Sequence, residues 1–299
     1  MDQPASRYGV SMRGDVQSAL RSGRRVVGSA GEAVRDAVWG MRHVTTSKWT
    51  FARDAFVGRL PNVFPNIVIK ERARRLELRD GTVLFYRTNK ADLDIFREVF
   101  IFEVYRLPER LDPTGLFVDL GANIGMASVW LSRRYGVERV VAVEPVPANA
   151  AVLRKNLEAN SISFELVEAA VGPRRGEVSF TTDQRPGEGH VVDDLTTDLL
   201  VPMVTMNDVL QHAPGPVALL KMDIEGGEGP LIYEGTPSWL NDVEVIAAEL
   251  HPQFLDVSAI TEKICTYGFS LVPNADRAYG GTTEWVFTRE SAHAHEGVV

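Results

Sequence analysis

The chain has 299 residues, of which 44% are hydrophobic and 24% charged, and a formal net charge of −8, all ordinary values for a globular protein with a sizeable core. No apolar stretch reaches the roughly 18 to 20 residues needed to cross a bilayer, and the N-terminus lacks the apolar core and small-residue cleavage site of a secretory signal. The single cysteine, Cys265, excludes a disulfide framework or a cysteine-based metal site, so a reducing cytoplasm is expected, with Cys265 a buried inert thiol in the apolar helical pattern of 260–267.

Residues 1–60 carry ten Arg/Lys and five Asp/Glu, about +5, which leaves about −13 for the remainder. Helical patterns at 16–27 and 33–41 carry Arg21, Arg24, Arg25 and Arg35. The segment reads as a basic helical N-terminal extension. Sharper alternatives are an arm for a homodimer or a peripheral contact with an anionic lipid surface. Nucleic acid is not expected as a partner, because the remainder is acidic and holds no recognisable nucleic-acid module.

Residues 61–110 lead into the core. Segments 75–79 and 82–86 flank Asp80-Gly81, a strong hairpin signal, and 93–105 reads as a helix. A main domain is expected over 111–290, with 291–299 a flexible tail. Within it strands and helices alternate: strand 116–118, helix 126–135, strand 140–143, helix 148–160, strand 164–167. That order implies a parallel sheet with crossover helices. Further strands are predicted at 177–180, 203–205, 217–222, 243–249, 269–272 and 285–288, and a helix at 259–267. Between them, Gln184 to His190 has loop composition and reads equally as a flap near the substrate or as an ordinary surface loop.

Two constellations carry chemistry. In Phe117-Val-Asp-Leu-Gly-Ala-Asn-Ile-Gly125, glycines flank a strand-to-helix turn where the backbone can approach a ligand closely. Glu144 ends the next strand 19 residues after Gly125, near the roughly 20 expected of a ribose-binding carboxylate. The turn is G-x-x-x-G rather than the G-x-G-x-x-G of a dinucleotide site. Asp119 beside it disfavours a pyrophosphate and suits the ammonium or sulfonium of S-adenosylmethionine. The second constellation, Leu219-Leu-Lys-Met-Asp-Ile-Glu-Gly-Gly-Glu228, should deliver Asp223 and Glu225 to the carboxyl end of the sheet, where open α/β folds bind ligands. The alternative is that they cap the helix starting near Glu228.

Together Val118–Gly125, Val143-Glu-Pro145, Ala169-Ala-Val-Gly172 and Leu220–Glu228 resemble the FkbM-type S-adenosylmethionine-dependent methyltransferases, over about residues 92–288. The resemblance implies a doubly wound, Rossmann-like class I methyltransferase sheet of seven strands, mostly parallel with an antiparallel last strand, preceded here by the hairpin and N-terminal helices. It also implies Asp119, Gly121, Asn123 and Gly125 around the methionine part, Glu144 with Pro145 at the ribose, and Ala169 and Ala170 near the adenine. Members are mostly O-methyltransferases of sugar or polyketide hydroxyls, so a small hydroxylated acceptor from secondary metabolism is expected.

Methyl transfer requires alignment of acceptor oxygen, methyl and sulfur, and removal of the hydroxyl proton. Asp223 and His251 are the candidate catalytic groups, with Glu249 supporting them; His251 has the ordinary pKa suited to neutral-pH proton transfer. Asp223, Glu225 and Glu249 could alternatively hold Mg²⁺. Competing functions are an N-methyltransferase on the same fold, an NAD-dependent oxidoreductase, which the missing G-x-G-x-x-G disfavours, and a noncatalytic binding protein, which the intact cofactor motif disfavours.

Overall fold

The structure is a computed structural model, and it describes residues 31–60, 69–88, 91–108, 114–181, 190–192, 199–234, 237–252, 254–272, 277–279 and 282–289. The helix expected at 16–27, most of the proposed flap and the tail from 291 lie outside the described residues. The chain divides into two compact units, 1–70 and 71–299.

In the first unit, α1 covers the described residues 31–43, β1 is Val44–Thr46 and α2 is Lys48–Val57. Gly40 is required there, because a side chain would collide with the ring of Phe51. The Arg59 guanidinium is buried and reaches Asp36 at 2.7 Å and Glu32 at 2.9 Å, tying the end of the unit back to α1.

The second unit begins with the hairpin of β2 (Ala73–Leu78) and β3 (Val83–Arg87) around Asp80-Gly81. The predicted helix over 93–105 is shorter and of two kinds. α3 (Asp92–Phe96) passes into a π-helical turn, Arg97–Ile101, closed by the Phe102 N–H donating to the Arg97 carbonyl at 2.9 Å.

The main sheet is built from β4 (Gly115–Leu120), β5 (Val137–Val143), β6 (Phe164–Val167), β11 (Val217–Met222), β12 (Val243–Leu250), β13 (Phe269–Leu271) and β15 (Thr282–Arg289). Their order is β13-β15-β12-β11-β4-β5-β6, and β14 (Arg277–Tyr279) adds to β15. Five central strands are parallel, and β15 runs antiparallel between β12 and β13. Helices α4 (Met126–Tyr135), α5 (Pro147–Ala159), α7 (Glu228–Tyr233) and α8 (Val257–Cys265) lie in the connections. Every residue of β11 is buried, as expected for a strand covered on both faces. Val118, Leu120, Val141, Leu220, Ile246 and Phe287 belong to one apolar cluster under the site.

A second sheet, β7 (Ala170–Val171), β10 (Leu199–Val204), β8 (Gly176–Thr181) and β9 (His190–Val192) in that order, follows the third core strand; α6 (Met206–Gln211) leads back to β11. The sequence pattern predicts two of its strands, at 177–180 and 203–205, without predicting β7, β9 or a separate sheet.

Asn156 on α5 and Asn160, the residue that caps its C-terminus, fasten the hairpin. The Asn156 side chain accepts from Phe85 N–H at 2.6 Å and donates to the carbonyls of Phe85 (3.1 Å) and Ile124 (2.7 Å). One turn on, Asn160 makes the same pair of bonds to Val83, at 3.0 and 2.6 Å. Buried amides that satisfy strand groups in this way replace a missing neighbouring strand. Cys265 corrects the sequence reading: it is exposed. On α8 the buried residues are Ile260 and Ile264, and Cys265, one residue and about 100° further round, faces outward.

Candidate active site

Connections leave β4 toward β5 and β11 toward β12, on opposite sides, so a cleft opens at the carboxyl ends of β4 and β11, the switch point of the sheet. The register pairs Asp119 with Lys221 and Leu120 with Met222, which brings Gly121 and Asp223 together as both strands leave the sheet. Gly121 has φ 72°, and a Cβ there would collide with the Asp223 carbonyl oxygen. Only glycine allows this close passage. The N–H groups of Gly121 and Ala122 both donate to the Val143 carbonyl, at 3.1 and 3.0 Å, holding the turn against β5. The open cleft measures about 920 Å³ including space continuous with solvent, and Gly121, Asn123, Glu144, Pro145, Ala170 and Asp223 line it.

Glu144 is buried at the cleft wall. Its Oε2 accepts the Asn123 N–H at 2.8 Å, and its Oε1 accepts the Val146 N–H at 2.9 Å and the Asn149 amide at 3.3 Å. Burial raises its pKa to about 7 against the opposing effect of these bonds. Each carboxylate oxygen has two lone pairs, so the arrangement retains acceptor capacity toward the cleft. A nucleoside ribose fits that chemistry, and the glycine turn beside it provides the close backbone approach.

Asp119 and Gly125 do not line the cleft. Asp119 is fully buried; Ser128 Oγ donates to its Oδ2 at 2.5 Å, and Lys221 Nζ stands 3.3 Å from its Oδ1. Gly125 sits at φ 77° before α4, where it packs on Leu153. The charge that the sequence assigns to a cofactor cation is thus countered by Lys221. Nζ of Lys221 also donates to the Gly121 carbonyl at 3.0 Å and lies 3.5 Å from Asp223 Oδ2. Burial alone would lower its pKa, but Asp119 and Asp223 outweigh burial and hold it above the ordinary lysine range. Tyr105 completes the group, donating its hydroxyl to Asp223 Oδ2 at 3.2 Å with Lys221 Nζ 5.4 Å from its ring centroid. Asp223 is therefore fixed by Tyr105 and Lys221. It does not cap α7, whose cap residue, Gly227, makes no side-chain cap bond.

His251 follows β12, 4% exposed. Its Nδ1 stands 3.3 Å from Oε1 of the fully buried Glu228, and its Nε2 is 3.6 Å from Glu225 Oε2 and 3.7 Å from Glu249 Oε1. Burial lowers the affinity of this ring for a proton, but Glu228 foremost, with Asp223 and Glu225, outweighs it and raises the pKa to about 9. With no ion bound, these carboxylates favour the protonated ring, where the sequence alone suggests a base poised near 7. Ligand atoms of Asp223, Glu249 and His251 all lie within 4.8 Å of one another. The compact trio among the described residues thus contains His251 in place of the Glu225 of the sequence-based magnesium set.

Sequence reasoning missed Glu98, Tyr105, Lys221, Asn149 and Glu284. Glu98 lies on the π-helical turn and lines the cleft; burial, then Glu249 and Asp223, raises its pKa to about 8. Lys221 carried a signal, being the one charge inside the strand Val217–Met222. Glu284, opposite Glu249 in the register, comes just before the apolar residues Trp285 to Phe287 and outside the predicted strand, so it carried no comparable signal.

Residues 119–271, just over half of the 299-residue chain, match the Methyltransferase FkbM domain. The chain belongs to the FkbM methyltransferase family. It is 27% identical over 158 residues to "Methyltransferase 1" of Beauveria bassiana, covering 45% of this chain and 63% of that one, less than two thirds of the fungal protein's length. It is 23% identical over 242 residues to the 31-O-demethyl-FK506 methyltransferase FkbM of Streptomyces tacrolimicus, covering 69% of this chain and 93% of that one. Among solved structures, TYW2 of M. jannaschii in complex with AdoMet aligns with 75% of this chain and 89% of that one at 14% identity and a TM-score of 0.37. Among the described residues, no helix is long and apolar enough to cross a membrane.

Proposed function

We propose that this FkbM-family enzyme is an O-methyltransferase acting on a hydroxyl of a sugar, glycolipid or polyketide-type secondary metabolite. The observation that carries the reading is that one cleft joins the buried Glu144 carboxylate and the Gly121 turn to Asp223, with Glu249 and His251 beside it. S-adenosylmethionine supplies an electrophilic methyl on a sulfonium. Glu144 accepts a ribose hydroxyl through the Oε2 lone pair that Asn123 does not use, its Oε1 being taken by Val146 and Asn149. Gly121 and Asn123 border the methionine part, and Pro145 and Ala170 the nucleoside. Asp119 acts indirectly, by fixing Lys221.

At the acceptor end, Asp223 is aligned by Tyr105 and Lys221 to receive the hydrogen bond of the attacking hydroxyl. Such positioned acceptance contributes about 10² to 10⁴ in rate, and alignment of the acceptor oxygen more. His251 stands beside this acceptor, its Nε2 3.6 Å from Glu225 Oε2 and 3.7 Å from Glu249 Oε1. The Streptomyces relative is named for an O-demethyl acceptor, which supports oxygen over nitrogen. Incubation of the enzyme with methyl-labelled S-adenosylmethionine and host extract, followed by mass identification of the product, tests the reading. Label on a hydroxyl oxygen is expected; label on an amine would replace it with N-methylation.

A further inference from the structure

We propose that Asp223, Glu249 and His251 bind a divalent cation of the Mn²⁺ type at the acceptor end of the cleft, where it holds the acceptor through two neighbouring oxygens. The inference deepens the O-methyl reading and rests on it for the purpose of the site, though binding can be tested without it. Geometry comes first. The last register pair, Met222 with Ala248, sets Asp223 beside Glu249 at the ends of β11 and β12, and His251 follows two residues later. One ligand atom from each of the three lies within 4.8 Å of the others, with His251 Nε2 and Glu249 Oε1 3.7 Å apart. Small side-chain rotations would bring such a set onto a common ion.

The surroundings are those of a metal-binding histidine. A ligating imidazole turns its other nitrogen to a carboxylate, which fixes the ring. Here Nδ1 of His251 faces Oε1 of Glu228 at 3.3 Å, and that oxygen is itself held by the Ile224 N–H at 2.9 Å. Glu228 is fully buried, so Nε2 is left directed at Glu249 and Glu225. Asp223 is oriented by Tyr105 and Lys221.

A second observation points independently to a ligand. Glu284 lies directly across from Glu249, is 4% exposed, and its Oε1 has no hydrogen-bond partner among the described residues. A buried carboxylate oxygen without a donor costs free energy, and water on a bound cation would supply the donor. The charges agree: Asp223, Glu249 and Glu284 bring three carboxylates together at the ends of adjacent strands, with Lys221 the cation beside Asp223. One nitrogen and two carboxylates suit a mid-row divalent ion better than Mg²⁺, which favours oxygen throughout. Three protein ligands leave positions open in an octahedral shell, and Asp223, one of the three, lines the cleft.

The full-length chain should be titrated with Mn²⁺, following the free aquo ion by electron paramagnetic resonance and the heat by calorimetry. One site with a histidine nitrogen coupling in the pulsed spectrum is expected. Glu249→Gln and His251→Ala should each weaken Mn²⁺ by at least about tenfold, and His251→Ala should abolish the nitrogen coupling. Retained S-adenosylhomocysteine binding reports that both variants are folded, and Glu249→Gln decides the matter should His251→Ala fail to fold. Absence of Mn²⁺ binding, binding without nitrogen coupling, or equal binding by Glu249→Gln would overturn the site while leaving the O-methyl reading intact. Label on an amine with Mn²⁺ binding unchanged would strike the O-methyl reading alone.

Discussion

Glu144 is a carboxylate whose burial works against its own charge, and this makes cofactor affinity depend on pH. Its pKa in the free protein is raised from 4.5 to about 7, so below pH 7 it is increasingly protonated and a weaker acceptor of ribose hydroxyls. S-adenosylhomocysteine affinity should therefore fall about tenfold per unit as pH drops below 7 and level off above it. The stability of the ligand-free protein moves the opposite way. A raised folded pKa gives a contribution fully present below 4.5 and lost as pH rises through 7. Glu144→Ala should abolish the pH dependence of binding and weaken the affinity; calorimetry between pH 5.5 and 8 reads both. Lys221 supports a different prediction. It is 2% exposed between Asp119 and Asp223, and Lys221→Met removes the cation that both carboxylates face. A loss of about 3–5 kcal/mol in urea unfolding is expected; a loss below 1 kcal/mol would show that the pair is solvated. Of these residues, Glu144 was legible from its spacing. Lys221 was visible only as a charge in an apolar strand, and nothing local said that Asp119 would be its partner across the sheet.

At the scale of elements, the hairpin stands on α5 through two asparagines one helical turn apart. Asn156→Ala leaves the Phe85 N–H and carbonyl and the Ile124 carbonyl without their side-chain partners. Each buried group so exposed costs about 1–3 kcal/mol, and faster hydrogen exchange at Phe85 should accompany the lower unfolding midpoint. The pair at 156 and 160 was present in the sequence as two amides one helical turn apart, but periodicity carries no information on what lies opposite. Helix α8 teaches the converse. Its apolar pattern predicted the helix correctly, yet Cys265 fell outside the buried stripe of Ile260 and Ile264. One full equivalent of thiol should react with a disulfide reagent in the native protein. Failure to react before unfolding would restore the buried reading.

For the whole molecule, ligand binding and folding are linked. S-adenosylhomocysteine at about 100 times its Kd should stabilise by about 2.7 kcal/mol, a rise of roughly 5–10 °C in Tm at the 2–4 °C per kcal/mol usual for this size. Glu144→Ala should abolish most of that rise at the same ligand concentration. The sequence by itself determined the alternation of strands and helices and hence a parallel core, which are written in local apolar periodicity, and the family, which is written in short motifs whose residues are neighbours in the chain; the antiparallel strand was only what that family resemblance implied. Only the tertiary structure decided that Asp119 faces Lys221, that Asp223 is held by Tyr105, that His251 stands against Glu228, and that Glu249 and Glu284 share one row of the sheet. Those are contacts between strands and turns far apart in the chain, and whether a carboxylate is a ligand, a counter-ion or a base depends on the charges and burial that such contacts bring to it.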